Sequence, residues 1–492
     1  MSDTTPETPP TAPQEGPAIG SDEWVARSGE NIERRGLRGL IARFEELPAV
    51  VRYGAFFVPF VAWPFLVGSD YLMQVGVDTL LYVLLALGLN VAVGWAGLLD
   101  LGYVAFYAFG AYGFALLASE QFDLHWEAQW AIPTIVLLTM LLGLLLGLPS
   151  WRLSGDYLAI VTLFFLQIFL VLLNNVDRPD FQFLENPPDW SITNGPNGIS
   201  TVDPLTFFGR ELTSLDAYYW VLVAAIGLVL TALYLANNSR TGRAWRALRE
   251  DILAAELMSM PVRWLKLLAF VVGAGVAGLA GTIFAAQQGA VFPVNFDLTL
   301  LITLYAMVIL GGAGSLAGVA LGAIVINLSL ELLRDPDDAS LAFFGALVVV
   351  TLLTMRPFVR WAALAAGTIV FGLVAHFVVE RAWPEGVAGQ SAGQTRVDGW
   401  VEGWAIIPSD PQTWNRVMYI VLIAGVLALT VVRGWWRLAL AAPVLYLAIS
   451  IWESAMLPQP SVARYLLIGA MLVGLMAARP QGLLGQQRVE IV

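Results

Sequence analysis

The stretch K-L-L-A-F-V-V-G-A-G-V-A-G-L-A-G-T-I-F-A-A-Q, Lys266–Gln287, carries a charge at its first residue and none after it. A helix rises about 1.5 Å per residue, so this run covers the roughly 30 Å of hydrocarbon in a bilayer. Small residues recur four apart within it, Gly273, Ala277 and Gly281, and beside them Ala274 and Gly278. That spacing lets neighbouring helices approach closely. Comparable apolar runs recur from Tyr53 to the end, near 53–72, 77–95, 99–118, 130–148, 157–174, 218–236, 298–311, 315–333, 341–355, 361–379, 417–432, 438–454 and 464–478. The sliding-window reading gives about fourteen spans. The pair around Gly311–Ser315 is short and reads as half-helices meeting at a turn. Hydrophobic residues make up 58% of the chain and charged ones 13%, with a mean hydropathy of +0.71. A soluble domain is about half apolar and a quarter charged, so the fold class is an all-α polytopic membrane protein.

The same stretch excludes a motor. Lys266 is the only lysine in the chain and no glycine loop precedes it, whereas a Walker A site needs lysine on the nucleotide phosphates. The turn Gly311, Gly312, Gly314 is therefore no phosphate cradle. Cysteine is absent, which excludes disulfides, thiolate catalysis and thiolate-held metals, and with only His125 and His376 no histidine-rich metal site is expected. The net charge of −12 argues against nucleic acid. Residues Met1 to about Glu46 lack an apolar signal core and read as a solvated tail followed by a short amphipathic helix.

Arginines orient the spans. Arg34, Arg35, Arg38, Arg43 and Arg52 precede the first. Arg240, Arg243, Arg246, Arg249, Arg263 and Lys266 crowd the loop after the sixth, and Arg356, Arg360, Arg433 and Arg437 mark two later loops. Counting spans from a cytoplasmic N-terminus puts all of these inside, and the acidic loops Asn175–Leu215 and Glu380–Gln412 outside.

Three classes of function compete. A membrane enzyme lacks a nucleophile or metal set. An ion-coupled secondary transporter calls for ionisable groups within its spans. Asp78, Asp100 and Asp156 instead read as solvated span ends, Glu331 and His376 are ambiguous, and Asn90, Gln167 and Asn327 read as interhelical hydrogen-bond glue. The third class is a transport subunit driven by a partner, which needs a docking surface. The loop Asn237–Trp264 supplies one. Its T-G-R-A-W-R-A-L-R-E-D-I-L-A-A-E-L-M-S-M-P predicts one helix between Gly242 and Pro261, capped by Thr241 and stopped by the proline. Arg246, Arg249 and Glu250 share one face of it, and Leu248, Ile252, Ala255 and Met258 form an apolar one. Such a helix suits a groove on another protein or an anionic lipid surface.

At this loop the chain resembles the permeases of the branched-chain amino acid ABC transporter family, in particular the second, longer permease of that system. The likeness spans Val51 to about Pro357. Its landmarks are Leu87–Tyr112, the G-D-Y-L-A-I-V-T-L of Gly155–Leu163, the N-G-P-N-G-I-S of Asn194–Ser200, the R-A-L-R-E-D-x-x-A-A of Arg246–Ala255 and the V-I-L-G-G-A-G-S-L-A-G of Val308–Gly318. The resemblance implies a type II-importer-like core of about ten helices over 51–357, behind a tail over 1–50. It implies partners: a sister permease, two cytoplasmic ATPases that hold ATP and Mg, and an external substrate-binding protein, in a prokaryotic inner membrane. No cofactor is expected in this chain. The loop 237–264 would couple to an ATPase through Arg246, Arg249, Glu250, Asp251, Ala254, Ala255 and Ser259. Asn90, Asp100, Tyr103 and Asn174 would lie near the translocation path. A urea or short-amide importer of the same superfamily is the alternative cargo.

Departures from the pattern are informative. Ser259 stands where the family usually has glycine, Asn194 replaces another glycine, and Phe164, Gln167 and Leu170 replace a glycine and an intramembrane charge pair. The family's terminal R-P motif occurs twice, as M-R-P at Met355–Pro357 and as A-R-P-Q-G-L-L-G at Ala478–Gly485. The intervening 358–462, with extra spans and an acidic loop bearing Trp383, Trp400, Trp404 and Trp414, is an echo of the last helix or an insertion before it. The terminal helix and tail are then 463–492.

Overall fold

A computed structural model describes residues 49–148, 155–175, 192–354, 358–387, 389, 399–401, 403–432 and 434–456, with short pieces between 464 and 484. The N-terminal tail expected over 1–50, the loop 176–191 and Met355–Pro357 fall wholly or mostly outside these residues. The chain divides into Met1–Trp63 and Pro64–Val492. The described part of the first unit lies on helix α1, Ala49–Leu66, in which Phe57 and Phe60 meet edge to face.

In the second unit α2 (Asp70–Asn90) runs into a π-helical turn, Val91–Trp95, followed by α3 (Tyr103–Leu117), α4 (Ala128–Gly147) and α5 (Asp156–Asn175). Short strands β1 (Ile199–Ser200), β2 (Leu205–Phe207) and β3 (Arg210–Leu212) lead to α6 (Leu215–Asn238). Two small helices, α7 (Arg240–Glu250) and α8 (Ile252–Leu257), precede the long α9 (Val262–Gln288). Strand β4 (Ala290–Val291) pairs antiparallel with β1, and β2 pairs with β3. Then come α10 (Leu298–Gly311), α11 (Leu316–Leu332), α12 (Pro336–Thr354), α13 (Phe358–Ala382), α14 (Pro411–Val431) and α15 (Trp435–Met456). Among the described residues nine helical segments are long and apolar enough to cross a membrane, and four shorter apolar helices join them. The short pair around the glycine turn is α10 and α11.

Helix α9 is the hub, packed against α2, α3 and α4. The small-residue face seen in the sequence is what brings it there. A side chain on Gly281 would run into the Tyr107 carbonyl of α3, and one on Gly110 into Gly278. Buried threonines satisfy themselves without breaking this packing. Thr79, Thr139 and Thr282 donate to the carbonyls of Val75, Ile135 and Gly278 one turn back, a local answer to the lack of water in a bilayer. Asn327 also donates to Thr79, at 2.8 Å, which ties α11 to α2.

The end of the bundle away from the arginine loop is closed by polar contacts. Asn194 adopts a left-handed φ of 58° and its amide donates to the Gly198 carbonyl, so asparagine manages a conformation that usually favours glycine. His125 lies between two carboxylates, 2.6 Å from Asp203 and 3.1 Å from Asp123. The hydrogen bond and charge of Asp203 push the imidazole pKa up, with Asp123 adding to it.

Past the core, Trp452 of α15 stacks on Phe343 of α12 with centroids 4.4 Å apart. Trp404 donates to the Ile369 carbonyl of α13 and meets Tyr446 of α15 edge to face. Trp383 and Trp414 meet with tilted rings, whereas Trp400 is exposed. His376 holds the Ala405 carbonyl at 3.0 Å, a structural contact.

Two outcomes follow from these contacts. Gly281→Val should lower the thermal midpoint in detergent, by about 1–3 kcal/mol of lost stability. Gly273→Ala, whose added methyl sits 3.4 Å from the Gly88 carbonyl, should leave it near wild type. For His125, folding favours the imidazolium, so its contribution is full below the ordinary histidine value of about 6.5 and is lost as pH rises through the elevated one. Amide exchange of the 119–126 and 202–204 segments should therefore quicken as pH rises beyond its intrinsic trend, and Asp203→Asn should weaken that pH dependence.

Candidate functional site

The arginine-rich loop is two helices, not the single one predicted. Ser239, rather than Thr241, caps α7 by accepting the Gly242 amide. At Asp251 the backbone becomes extended, with φ −153° and ψ 111°, and its carboxylate accepts the amides of Leu253 and Ala254 at 2.8 and 3.0 Å. An aspartate that can cap a new helix competes with helix continuation, which is why the periodic pattern is broken here. The chain leaves α8 through Ser259 at φ 59°, the position where the resemblance led one to expect glycine.

This break sorts the faces. Trp245, Leu248 and Ala255 are buried. Arg246, Glu250, Asp251, Ala254 and Ser259 are exposed, as are Leu253, Leu257 and Met258, the last two by 86% and 78%. Met258 therefore belongs to an outward apolar face with Leu253 and Leu257, and not to the inward face with Leu248 and Ala255. Arg246 hydrogen-bonds Asn237 at 2.6 Å. Arg249 does not share an outward face with it. Its guanidinium turns inward and donates to the carbonyls of Gly94 and Ala313.

Under Arg249 lies a joint of three segments. Asn90, the last residue of α2, accepts the Gly314 amide at 2.8 Å. Trp95, in the π turn, donates to the Gly314 carbonyl at 3.0 Å and stacks on Trp245 with centroids 6.0 Å apart. Trp245 donates to the Leu265 carbonyl at 2.9 Å, which anchors α7 to the start of α9. The glycine turn after α10, the unwound end of α2 and the loop helix thus share one polar knot. The Nδ2 amino group of Asn90 is fully buried and meets no acceptor among the described residues.

The other residues assigned by resemblance separate into two groups. Tyr103 is fully buried and donates to the Leu85 carbonyl of α2 at 2.9 Å. Asp100 is only 2% exposed, so the solvated span end expected for it is wrong. The chain between the π turn and α3 folds into the interior, where the Asp100 carboxylate accepts the Gly102 amide and its carbonyl accepts Tyr305 of α10 at 2.7 Å. Asn174 lies elsewhere, exposed near the end of α5 and bonded to its own Leu170 carbonyl. Phe164 and Gln167 also face outward from α5. No set of His, Cys, Asp and Glu able to hold a metal occurs among the described residues. Sequence reasoning missed Trp95, Trp245, Gly94 and Ala313. Tryptophan in both W-A-G and R-A-W-R was visible, but nothing local said that the two would stack.

A multi-pass apolar bundle whose one large amphipathic loop is bolted to its glycine turn has the form of a membrane permease. The comparisons agree. Residues 71–355 match the family described as branched-chain amino acid transport system / permease component, and the chain belongs to that family. It is 40% identical over 321 residues to the high-affinity branched-chain amino acid transport system permease protein LivM of Escherichia coli (strain K12), covering 60% of this chain and 71% of that one. It is 24% identical over 257 residues to the permease protein LivH of Salmonella typhimurium, covering 50% and 80%. A probable LivM of Methanocaldococcus jannaschii is 25% identical over 238 residues, 44% and 64% of the two chains. No solved structure matches.

Arg249→Ala should remove two charge-assisted bonds worth about 1.5–3 kcal/mol and release the loop. Limited proteolysis within 250–263 should accelerate in this variant and, to a lesser degree, in Arg249→Lys, whose flexible ammonium lacks the rigid guanidinium plane that aims one Nη at both carbonyls.

Proposed function

We propose that this chain is the permease subunit of an ABC importer that moves branched-chain or other small apolar amino acids across the cytoplasmic membrane. The observation that carries the reading is the two-sided loop. Its outer side presents Glu250, Leu253, Ala254, Leu257 and Met258 to a partner, and its inner side is fixed to the ends of α2 and α10 through Arg249 and to the start of α9 through Trp245. A push on the outer side is thereby delivered to the ends of two core helices. The relatives' names, all branched-chain amino acid permeases, support the cargo.

The chain itself carries no ATPase site in this reading. ATP and Mg bind two cytoplasmic ATPase subunits, a sister permease completes the pathway, and an external binding protein delivers substrate. The N-terminus and the arginine loop lie on the cytoplasmic side, in keeping with the arginine distribution. Asn90, Asp100 and Tyr103 remain candidates for the wall of the pathway because they cluster on α2 and the segment folded in beside it. Asn174 lies apart from these three, at an exposed helix end.

Reconstitution of the chain with its ATPases, sister permease and binding protein should give leucine uptake that requires ATP. Uptake by this chain alone under an ion gradient rejects the reading in favour of a secondary transporter. Glu250→Lys, on the exposed side, should abolish ATP-dependent uptake while membrane insertion stays normal. Ala255→Trp should instead lower the yield of folded protein, because Ala255 is buried.

A further inference from the structure

The chain's last described residues return to the joint. Gln481–Leu484, from the second R-P-Q-G-L-L motif, lies across the C-terminus of α10. Leu483 donates its amide to the Leu310 carbonyl at 2.8 Å, and Leu484 donates to the Gly311 carbonyl at 3.1 Å. The last four carbonyls of a helix have no acceptor role left inside it. In α10 the Val308 carbonyl takes the Gly312 amide, and the distant C-terminal segment serves the two after Ile309. Gly482 makes this approach possible. It sits at φ 78°, and a side chain there would begin 2.6 Å from the Gly312 Cα and 2.8 Å from the Ile309 carbonyl.

We propose that Gln481–Leu484 is a positioning clamp for the Gly311–Ser315 turn, and that through this turn it sets the coupling between the arginine loop and the core helices. The turn is held from three sides. Asn90 and Trp95 grip Gly314, Arg249 grips Ala313, and the clamp holds Leu310, Gly311 and Gly312. A turn released on its third side would yield when the loop moves, and the motion would dissipate there. The first R-P, Arg356–Pro357, is followed by Phe358 and Val359 and offers no glycine for such an approach. The clamp therefore belongs to the second motif alone, and α13–α15 are an insertion that parts α12 from the clamp without displacing it.

The coupling role rests on the importer reading, and two measurements separate the claims. In the full chain in detergent, the Leu483 and Leu484 amides should be protected from exchange, and Gly482→Val should expose them. Free exchange in the wild type overturns the clamp whatever the protein carries. In the reconstituted transporter, Gly482→Val should keep ATP hydrolysis while leucine imported per ATP falls about tenfold, within the usual span of coupling between sites. Gly482→Ala, a smaller intrusion, gives an intermediate loss and serves if the valine variant folds poorly. Wild-type coupling in both variants, beside a wild type that imports leucine, overturns the clamp's coupling role and leaves the importer reading intact. A wild type without ATP-driven uptake overturns the importer reading and the coupling role together.

Discussion

The guanidinium of Arg249 joins segments far apart in the chain. Its partners, the carbonyls of Gly94 and Ala313, are 155 and 64 residues away. Both carbonyls belong to helix ends, the π turn that closes α2 and the glycine turn that follows α10, where unpaired C=O groups accumulate negative partial charge. Arginine suits this place because it stays charged and offers several donors in one rigid plane. With it in place the loop helices cannot shift without carrying two core helices along. Trp245 reinforces the grip by stacking on Trp95 and bonding to the start of α9.

That grip is useful only on a frame that does not deform, and α9 provides the frame. Glycines on its face and on α3 let backbones touch, which replaces soft side-chain packing with close van der Waals contact. Thr79, Thr139 and Thr282 beside this seam bond to their own helices, and Asn327 bonds to Thr79, so these groups are satisfied without water. The additional helices α13–α15 pack mainly among themselves and reach α12 through Trp452 and Phe343. Beyond them the chain comes back to the joint at Gly482.

Much of this protein was legible from composition and periodicity. Hydropathy located the spans, including the short pair around the glycine turn. The lone Lys266 argued against a nucleotide site, and the arginine clusters singled out the loop that Arg249 ties to two helix ends. Ser259 and Asn194, noted as substitutes for glycine, do adopt left-handed conformations. These properties are local: they depend on residue type and on neighbours within a turn or two.

What only the tertiary structure decided is which distant groups meet. Arg249 resembles its neighbours Arg246 and Arg243 in sequence, yet it alone of the three reaches the unpaired carbonyls of two helix ends. Asp251 has the chemistry of both a helix residue and a cap, and packing of Trp245 and Ala255 on either side selects the cap. Asp100 reads as a water-facing span end until the segment before α3 folds inward and buries it. The clamp at Gln481–Leu484 is invisible to any local reading, because its partner is a helix terminus far away in the chain, before α13–α15. The sequence by itself determined the solvent in which this chain folds. The shapes of its helix ends, and the few groups able to reach their unsatisfied carbonyls, decided where the loop is held.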